Sequence, residues 1–347
     1  MKKSIAVIFG GHSSEYRISL QSAFSVLENL DSRKYHVIPV GITRQGDWYR
    51  YNGEYSKIPE DTWMLDRDKL VRVTVSNSRS VRGLIEMRNT GNSVVHLDLA
   101  FPVLHGKNGE DGTVQGLFEL AGIPIVGCGT LASALCMDKD RAHRLVQAAG
   151  IRVPKSATIC RSTRNDLPNA VVDLTLPVFV KPVKAGSSFG ITKVFRMDDL
   201  PAATELAFQY DDTVIIEENI EGFEVGCAIL GIDDLIVGRV DEIELSHGFF
   251  DYIEKYTLET SKIHMPARID SECERRIQET AKAIFRVLGC SGFARVDMFL
   301  RPDGKIVINE VNTIPGFTSH SRYPNMLKGI GIGFGEMLDR LIALYDR

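Results

Sequence analysis

Four polar side chains near the C-terminus have a spacing that could build one chemical site. Arg295 and Asp297 lie two positions apart in a predicted strand, and Glu310 and Asn312 lie two positions apart in the next. Side chains with this spacing share a face of the strand. The Asp-Gly pair at 303–304 is a turn signal. A two-residue loop there would pair Asp297 with Glu310 and Arg295 with Asn312.

Facing carboxylates at 297 and 310 predict a cation between them, because like charges across a ladder repel. Asp, Glu and Asn offer hard oxygen donors, which suit Mg²⁺ or Mn²⁺ rather than Zn²⁺. The alternative is a solvated face on which Asp297 pairs with Arg295 or Arg301. Phe299 and Ile308 are expected to share this face. Their presence favours a partly buried face. A partly buried face in turn favours the metal site over the solvated face.

Length and composition are those of an ordinary soluble enzyme. A chain of 347 residues, 44% hydrophobic and 25% charged, predicts two or three domains. The net charge of -4 gives no reason to expect a nucleic-acid partner. The six cysteines contain no C-x-x-C pair, which favours free thiols in a reducing compartment. No signal peptide or membrane span is predicted, so we expect a cytoplasmic protein without a membrane partner.

The N-terminal segment predicts a strand, a glycine turn and a helix. Ser4–Phe9 is predicted to be a continuous apolar strand, two glycines follow it, and the helix is expected to begin near Ile18 or Ser19. A glycine turn that leads into a helix N-terminus can bind an anion. Glu15, in the turn, could face a ligand amine or cap the helix, and the residue type alone favours capping.

A second polar loop, HGKNGEDG, begins at His105 and follows the predicted strand Leu97–Leu104. Open α/β sheets place ligands beyond the ends of such strands. Together with the strands predicted at Ser4–Phe9 and Tyr35–Gly41, this strand indicates an α/β first domain with a mainly parallel sheet.

Two lysines and a glycine-rich segment in the middle of the chain could hold phosphates. Lys139 lies in a helix predicted over Thr130–Gly150, and Lys181 ends a predicted strand. Segment 182–190 is rich in Gly and Ser, carries a further lysine and lies between two strands, which predicts a flexible lid. It is not a Walker A loop, because no G-K-[ST] opens a helix here.

Carboxylates that could bind an adenine amino group or ribose hydroxyls follow the lid. Glu217 and Glu218 end a predicted strand, and Glu224 comes just after it. Further on, segment 246–262 is long, aromatic and charged, without a regular period. Such a segment is typical of an active-site loop.

Taken together, these motifs resemble the D-alanine–D-alanine ligase family of ATP-grasp enzymes over essentially the whole chain. The matching segments, in family order, are FGGHSSEYRISL, HGKNGEDG, MDKDRA, FVKPVKAGSSFGITKV, EKY, GFARVDMF and NEVNTIPGFTSHS. The resemblance implies an α/β (α+β) ATP-grasp fold of three domains, with ATP between the central and C-terminal domains. We place the domains at residues 1–127, 128–225 and 226–347, the last of which includes the active-site loop.

The resemblance also implies which residues hold the nucleotide and the metal. The ATP phosphates would be bound by Lys139 and Lys181. The adenosine would be bound by Glu217, Glu218, Ile220 and Glu224. Two Mg²⁺, which Mn²⁺ could replace, would be held by Asp297, Glu310 and Asn312.

Substrate-binding roles follow from the same resemblance. Glu15 would hold the ammonium group of a first substrate, D-alanine, and would be linked by hydrogen bonds to Ser187 and Tyr256. Lys255 and Ser321 would hold the carboxylate of a second amino acid.

The implied reaction has two steps. ATP would phosphorylate D-alanine to an acyl phosphate, and the amine of the second amino acid would then attack its carbonyl. Arg295 and the backbone N–H of Gly316 would stabilise the resulting oxyanion. His105 would lie near the first substrate.

The identity of the second substrate depends on a few positions. The chain keeps EKY at 254–256, where D-lactate-adding relatives carry a histidine, so an amine is expected rather than a hydroxy acid. Arg322 stands where alanine-adding relatives typically have leucine, and Phe250 where they often have tyrosine. This combination resembles the D-alanine–D-serine ligases of the vancomycin-resistance type, because a guanidinium can donate to a serine hydroxyl. The alternatives are that Arg322 faces solvent or pairs with an acid, and that the chain is an ordinary D-alanine–D-alanine ligase.

Other functions fit the sequence less well. A different ATP-grasp ligase would share the lid and the hairpin but would lack FGGHSSE and EKY. A non-catalytic nucleotide sensor would be expected to lose Arg295 or a metal ligand. A homodimer is expected by analogy, because relatives are commonly dimeric.

Overall fold

Three β-sheets, formed one after another along the chain, organise the structure. The computed structural model describes residues 2–186, 188–245 and 261–346. The strands in these ranges form sheets of seven, four and five strands, and helices pack against each sheet. This is the mixed α/β architecture expected from the sequence. Within the same ranges, no helix combines the length and the apolar character needed to cross a membrane.

The first sheet has the strand order β6-β5-β4-β3-β2-β1-β7. Its strands are β1 (Lys3–Gly10), β2 (Tyr35–Ile42), β3 (Trp48–Tyr51), β4 (Leu70–Val75), β5 (Gly83–Arg88), β6 (Gly91–His96) and β7 (Leu99–Pro102). Only β1 runs parallel to its neighbours β2 and β7, and the pairs from β2 to β6 are antiparallel. The prediction of a mainly parallel sheet is therefore wrong. Strands from β2 to β6 follow one another without the helical crossover that parallel pairing requires.

The helix after β1 begins earlier than predicted. Helix α1 (Tyr16–Asn29) buries Leu20, Ala23, Val26 and Leu27, the residues expected on its inner face. Their spacing places them on one stripe of the helix, against β1. A later helix, α2 (Thr113–Ala121), follows the HGKNGEDG loop.

The helix predicted over Thr130–Gly150 is two helices, α3 (Thr130–Met137) and α4 (Lys139–Ala148). Between them Asp138 has an extended backbone, and its carboxylate accepts a hydrogen bond from the Arg141 N–H at 3.0 Å. An aspartate in this position stabilises a helix N-terminus. The break therefore places Lys139 at the start of α4.

The second sheet is antiparallel, in the order β10-β9-β11-β8. Its strands and the helices of this region are β8 (Ser156–Cys160), α5 (Leu167–Ala170), β9 (Val178–Pro182), β10 (Thr192–Val194), α6 (Leu200–Ala207) and β11 (Thr213–Glu218). Both helices contribute to the core formed with the sheet.

The third sheet is also antiparallel, in the order β14-β13-β12-β15-β16. Its strands and the helices of this region are β12 (Phe223–Gly231), β13 (Ile236–Leu245), β14 (Ser261–His264), α7 (Ser271–Val287), β15 (Gly292–Leu300), β16 (Ile306–Asn312), α8 (Arg322–Lys328) and α9 (Phe334–Ala343). The domain limit placed between 225 and 226 lies inside β12. Helices α3 and α4 share a core with this sheet.

The β15–β16 hairpin reaches the predicted pairing by a different route. Arg301 N–H donates to Lys305 C=O, so residues 302–304 form a three-residue turn, with Gly304 at φ +74. A bulge at Asn309 then shifts the register, so that Asp297 pairs with Glu310 as predicted, and Arg295 pairs with Asn312. The predicted two-residue loop is wrong, but the predicted pairing is confirmed. The three-residue turn shifts the register by one residue, and the extra residue at the bulge shifts it back.

The same bulge corrects the expectation for Ile308. This residue pairs with Met298, and both are fully buried in the core on the opposite face of the hairpin. One-residue shifts in a strand move every side chain to the other face. Ile308 therefore does not share the face of the two carboxylates.

Candidate active site

A cavity of about 630 Å³ collects most of the predicted site residues. Its lining comes from the start of α1, the loop after β7, the start of α4, segment 185–186 of the lid, the third sheet and the segment between β16 and α8. The predicted residues that line it are Glu15, His105, Lys139, Glu224, Arg295, Asp297, Glu310, Asn312, Gly316, Ser321 and Arg322.

The other predicted residues fall into two groups. Ser187, Phe250, Lys255 and Tyr256 lie outside the described residues. Four others are described by the structure but are not among the residues that line the cavity: Lys181, Glu217, Glu218 and Ile220.

Lys181 and Glu217 form a buried ion pair on the second sheet. Their Nζ and Oε2 atoms lie 2.6 Å apart. Burial opposes the charge of the carboxylate, but Lys181 and weaker contributions from other neighbours together lower the pKa of Glu217. The neighbouring Glu218 accepts a hydrogen bond from the Lys155 N–H at 2.8 Å.

Asp297 is paired with Arg295, as the alternative interpretation of the hairpin expected, but it is buried and does not lie on a solvated face. Arg295 donates to its carboxylate from Nε at 2.8 Å and from Nη2 at 2.7 Å, and Asn312 Nδ2 donates at 2.9 Å. Glu310 faces a different cation, because Lys139 Nζ lies 3.6 Å from its Oε2. Burial opposes the charge of Arg295, but the Asp297 carboxylate raises its pKa.

The donor set of this patch fits a hard divalent cation. No three His, Cys, Asp or Glu side chains in the described part of the chain group as a metal site. The patch instead offers two carboxylates and an amide on adjacent strands, Asp297, Glu310 and Asn312. Oxygen donors of this kind, with the remaining positions filled by phosphate and water, are what Mg²⁺ prefers.

Arg322 lies in a cluster of carboxylates. It donates to Asp241 from Nε at 2.7 Å and from Nη2 at 2.8 Å, and to Glu224 from Nη1 at 2.9 Å. Asp297 Oδ1 is 3.4 Å from Nη2. Although burial acts in the other direction, Asp241 and then Asp297 raise the pKa of Arg322. The expected alternative, pairing with an acid, is therefore what the structure has, while Arg322 still lines the cavity.

Sequence analysis missed Asp241 and Gly226. Asp241 is buried behind Arg322, and its Oδ1 accepts the Gly226 N–H at 3.0 Å. A Cβ at Gly226 would lie 2.3 Å from Arg322 Nη2 and 2.7 Å from Asp241 Oδ1. Both residues are distant from Arg322 in the chain, so no local motif links them.

Glu15 faces the cavity and does not cap α1. It occupies the N-cap position, but its side chain makes no capping hydrogen bond, so the interpretation favoured by residue type is wrong. The carboxylate contacts two glycines: a Cβ would lie 2.3 Å from its Oε2 at Gly106 and 2.9 Å at Gly186. One glycine belongs to the HGKNGEDG loop and the other to the lid.

The HGKNGEDG loop holds the segment that contains Gly316. His105 Nδ1 lies 2.9 Å from the Ile314 carbonyl oxygen, and Glu110 accepts the Ile314 N–H at 3.0 Å. The other His105 nitrogen lies 3.0 Å from Ser22 Oγ. Burial lowers the pKa of His105 to about 4. Burial and the Glu15 carboxylate raise the pKa of Glu110 to about 8.

Comparison with protein families agrees with this architecture. The family model described as "D-ala D-ala ligase N-terminus" matches residues 4–128. The model described as "D-ala D-ala ligase C-terminus" matches residues 145–343.

Individual relatives match over nearly the full length. The crystal structure of the VanG D-Ala:D-Ser ligase from Enterococcus faecalis is similar with a TM-score of 0.93 and 64% identity, over 99% of this chain and 100% of that chain. The vancomycin B-type resistance protein VanB of Enterococcus faecalis is 48% identical over 99% of this chain and 98% of its own length. A putative D-alanine–D-lactate ligase of Streptomyces coelicolor is 47% identical, over 98% and 96%. The chain therefore belongs to the D-alanine–D-alanine ligase family, whose members are ATP-dependent enzymes with the ATP-grasp fold.

Proposed function

We propose that this enzyme joins D-alanine to D-serine at the expense of ATP. The product would serve as a peptidoglycan precursor in vancomycin resistance. The observation that carries the proposal is a buried guanidinium, that of Arg322, in the lining of the cavity that also holds Glu15 and Arg295. The 64% identity to a D-Ala:D-Ser ligase supports it.

The first step activates D-alanine. Its ammonium group is held by Glu15, and its carboxylate attacks the γ-phosphate of ATP to form an acyl phosphate and ADP. Lys139 and Lys181 hold the ATP phosphates, and Glu217, Glu218, Ile220 and Glu224 hold the adenosine. Asp297, Glu310 and Asn312 would hold two Mg²⁺, replaceable by Mn²⁺, and the bound ions would offset the charge on the transferring phosphoryl group.

The second step forms the amide bond. The amine of the second amino acid attacks the acyl carbonyl, the C–O bond to phosphate breaks and the ammonium proton is released. Arg295 and the Gly316 N–H donate to the oxyanion. Among the described residues the Gly316 N–H has no hydrogen-bond acceptor, which leaves it available for this role. Lys255 and Ser321 hold the second carboxylate, and Ser187, Tyr256 and the lid exclude water from the acyl phosphate.

The hydroxyl of D-serine suits the environment of Arg322 better than a methyl group does. A hydroxyl can accept a hydrogen bond from the guanidinium. Within the described residues the second N–H of Nη1 has no partner. A D-alanine methyl would leave this buried donor without an acceptor. The EKY segment favours an amine over D-lactate, and D-alanine as second substrate remains the alternative.

A competition assay tests this specificity. Purified enzyme with ATP and D-alanine receives equal D-serine and D-lactate, and the products are measured by mass, with L-alanine as the control for stereochemistry. Because a hydrogen bond to a charged group contributes about 1.5–3 kcal/mol, D-serine should be favoured over D-alanine roughly ten- to a hundred-fold. Arg322→Leu should reverse the preference. D-alanyl-D-alanine as the main wild-type product would contradict D-serine specificity and leave the ligase assignment intact.

The proposal extends to assembly and location. By analogy with relatives the enzyme is a cytoplasmic homodimer, with domains at 1–127, 128–225 and 226–347 and ATP between the last two. Light scattering coupled to size-exclusion chromatography measures the mass of the assembly directly.

A further inference from the structure

Helix α4 contacts strand β16 at two adjacent residues. Lys139 and His143 are four positions apart in α4, so they project from the same face of the helix. Lys139 Nζ lies 3.6 Å from Glu310 Oε2, and His143 Nε2 lies 2.8 Å from the Asn309 carbonyl oxygen. One face of α4 therefore contacts both Glu310, the proposed metal ligand, and Asn309, the bulge residue beside it.

The His143 ring lies between a backbone carbonyl and a buried carboxylate. Because Nε2 faces a carbonyl oxygen, this nitrogen must carry a hydrogen. The other ring nitrogen, Nδ1, lies 3.4 Å from Glu217 Oε1, and both side chains are buried. Neither atom has a hydrogen-bond partner within the described residues.

The bulge that His143 contacts determines which face Glu310 occupies. If the register near the turn continued without the bulge, Asn309 rather than Glu310 would lie opposite Asp297. Glu310 would then point to the other face of the hairpin. The neighbouring Ile308 N–H donates to Arg152 C=O at 3.1 Å. Residues outside the sheet therefore contact both the bulge residue Asn309 and its neighbour Ile308.

We propose that His143 is a positioning residue that holds the Asn309 bulge and thereby keeps Glu310 opposite Asp297. Through Glu217 it also joins the hairpin to Lys181. The part of this role that concerns the metal rests on the proposed function. The part that concerns the bulge does not.

The bulge is tested without any ligand. Hydrogen exchange is measured across 306–312 in the wild type, His143→Leu, His143→Gln and Val146→Ala. Val146 is a fully buried core residue on the same helix, so Val146→Ala controls for general loss of stability. We expect about tenfold faster exchange in this strand for His143→Leu and not for Val146→Ala. The glutamine variant keeps an N–H donor and should remain near wild type. Equal exchange in His143→Leu and wild type would overturn the proposal.

The metal is tested by binding rather than turnover. Electron paramagnetic resonance measures Mn²⁺ affinity in the presence of a non-hydrolysable ATP analogue. His143→Leu should bind Mn²⁺ about tenfold more weakly than wild type, as changes behind metal ligands commonly do, and His143→Gln should restore most of the affinity. An equal loss in Val146→Ala would overturn the positioning role. A wild type that binds no Mn²⁺ would instead overturn the metal assignment, while the exchange experiment still decides the role at the bulge.

Discussion

The Asp241 carboxylate receives two hydrogen bonds from Arg322, from Nε at 2.7 Å and from Nη2 at 2.8 Å. A planar, two-point contact of this kind fixes the orientation of a guanidinium as well as its position. Asp241 is itself held by the Gly226 N–H and is 1% exposed. Asp241, itself held by Gly226, therefore orients Arg322, the residue that we propose contacts the D-serine hydroxyl.

Replacing Asp241 by asparagine should reduce the preference for D-serine. One oxygen acceptor becomes an amide donor, so the two-point contact with Arg322 is lost and the guanidinium can rotate. We expect the ratio of kcat/KM for D-serine to that for D-alanine to fall about tenfold, because a charged hydrogen bond of about 1.5–3 kcal/mol is misdirected. Product ratios from mixed substrates measure this change.

The adjacent residue of β13 offers a matched control. Glu242 is also buried and pairs with an arginine, Arg268, but it does not line the cavity. Glu242→Gln should destabilise the protein without changing the product ratio. If both variants shift the ratio equally, the effect belongs to general destabilisation and the role of Asp241 is wrong.

Glu310→Gln should abolish most activity while the protein remains folded. The change removes a charge from the proposed metal site and preserves the shape of the side chain. We expect kcat to fall by roughly a hundred- to a thousand-fold, about 3–4 kcal/mol of transition-state stabilisation. Phosphate release at saturating Mg²⁺ measures the rate, and circular dichroism checks the fold. Asp303→Asn, in the turn of the same hairpin, should stay near wild type, and near-normal turnover of Glu310→Gln would refute the assigned site.

Short-range spacing made much of the site predictable. The pairing of Asp297 with Glu310 follows from alternation along two strands joined by a turn. Its success depended on two compensating features, a longer turn and a bulge at Asn309, and neither leaves a clear signal in the sequence. Similarly, the apolar period placed the buried face of α1 correctly, whereas the N-cap position of Glu15 gave no indication that its carboxylate faces the cavity.

Long-range contacts set the limit of prediction. Asp241 lies 81 positions before Arg322, and Ile314 lies 209 positions after His105. Such contacts form only after separate sheets have packed, so no local spacing encodes them. The antiparallel part of the first sheet was missed although residues 70–75, LVRVTV, alternate apolar and polar side chains as a strand does.

The stability of the ligand-free protein should depend on His105 at acidic pH. Burial lowers the pKa of this residue from 6.5 to about 4, so below the unfolded value the unfolded chain binds a proton that the folded chain does not. Stability is therefore present above pH 6.5 and is lost as the pH falls through about 4. His105→Asn cannot titrate and can still donate to Ile314 C=O, so it should lose less stability over this window.

Urea unfolding of wild type and His105→Asn at about pH 7 and about pH 4.5 measures the difference, since the other titrating groups are common to both proteins. An exposed histidine supplies the control, and His36→Asn should follow the wild type. If the free energy of unfolding depends on pH in the same way in wild type and His105→Asn, His105 does not contribute to the loss of stability at acidic pH.

Gly226→Ala should change specificity without replacing any polar residue. The added Cβ would lie 2.3 Å from Arg322 Nη2, 2.7 Å from Asp241 Oδ1 and 2.8 Å from Met326 Cε. Since these atoms are buried and the ion pair is held on several sides, the guanidinium must shift away from its present position. We expect the D-serine to D-alanine product ratio to fall about tenfold, with a loss of stability of about 1–3 kcal/mol from overpacking. Gly53→Ala, whose Cβ would lie 2.3 Å from Tyr51 Oη, tests overpacking far from the cavity and should lower stability only. An unchanged product ratio in Gly226→Ala would mean that the orientation of Arg322 does not set the choice of second substrate.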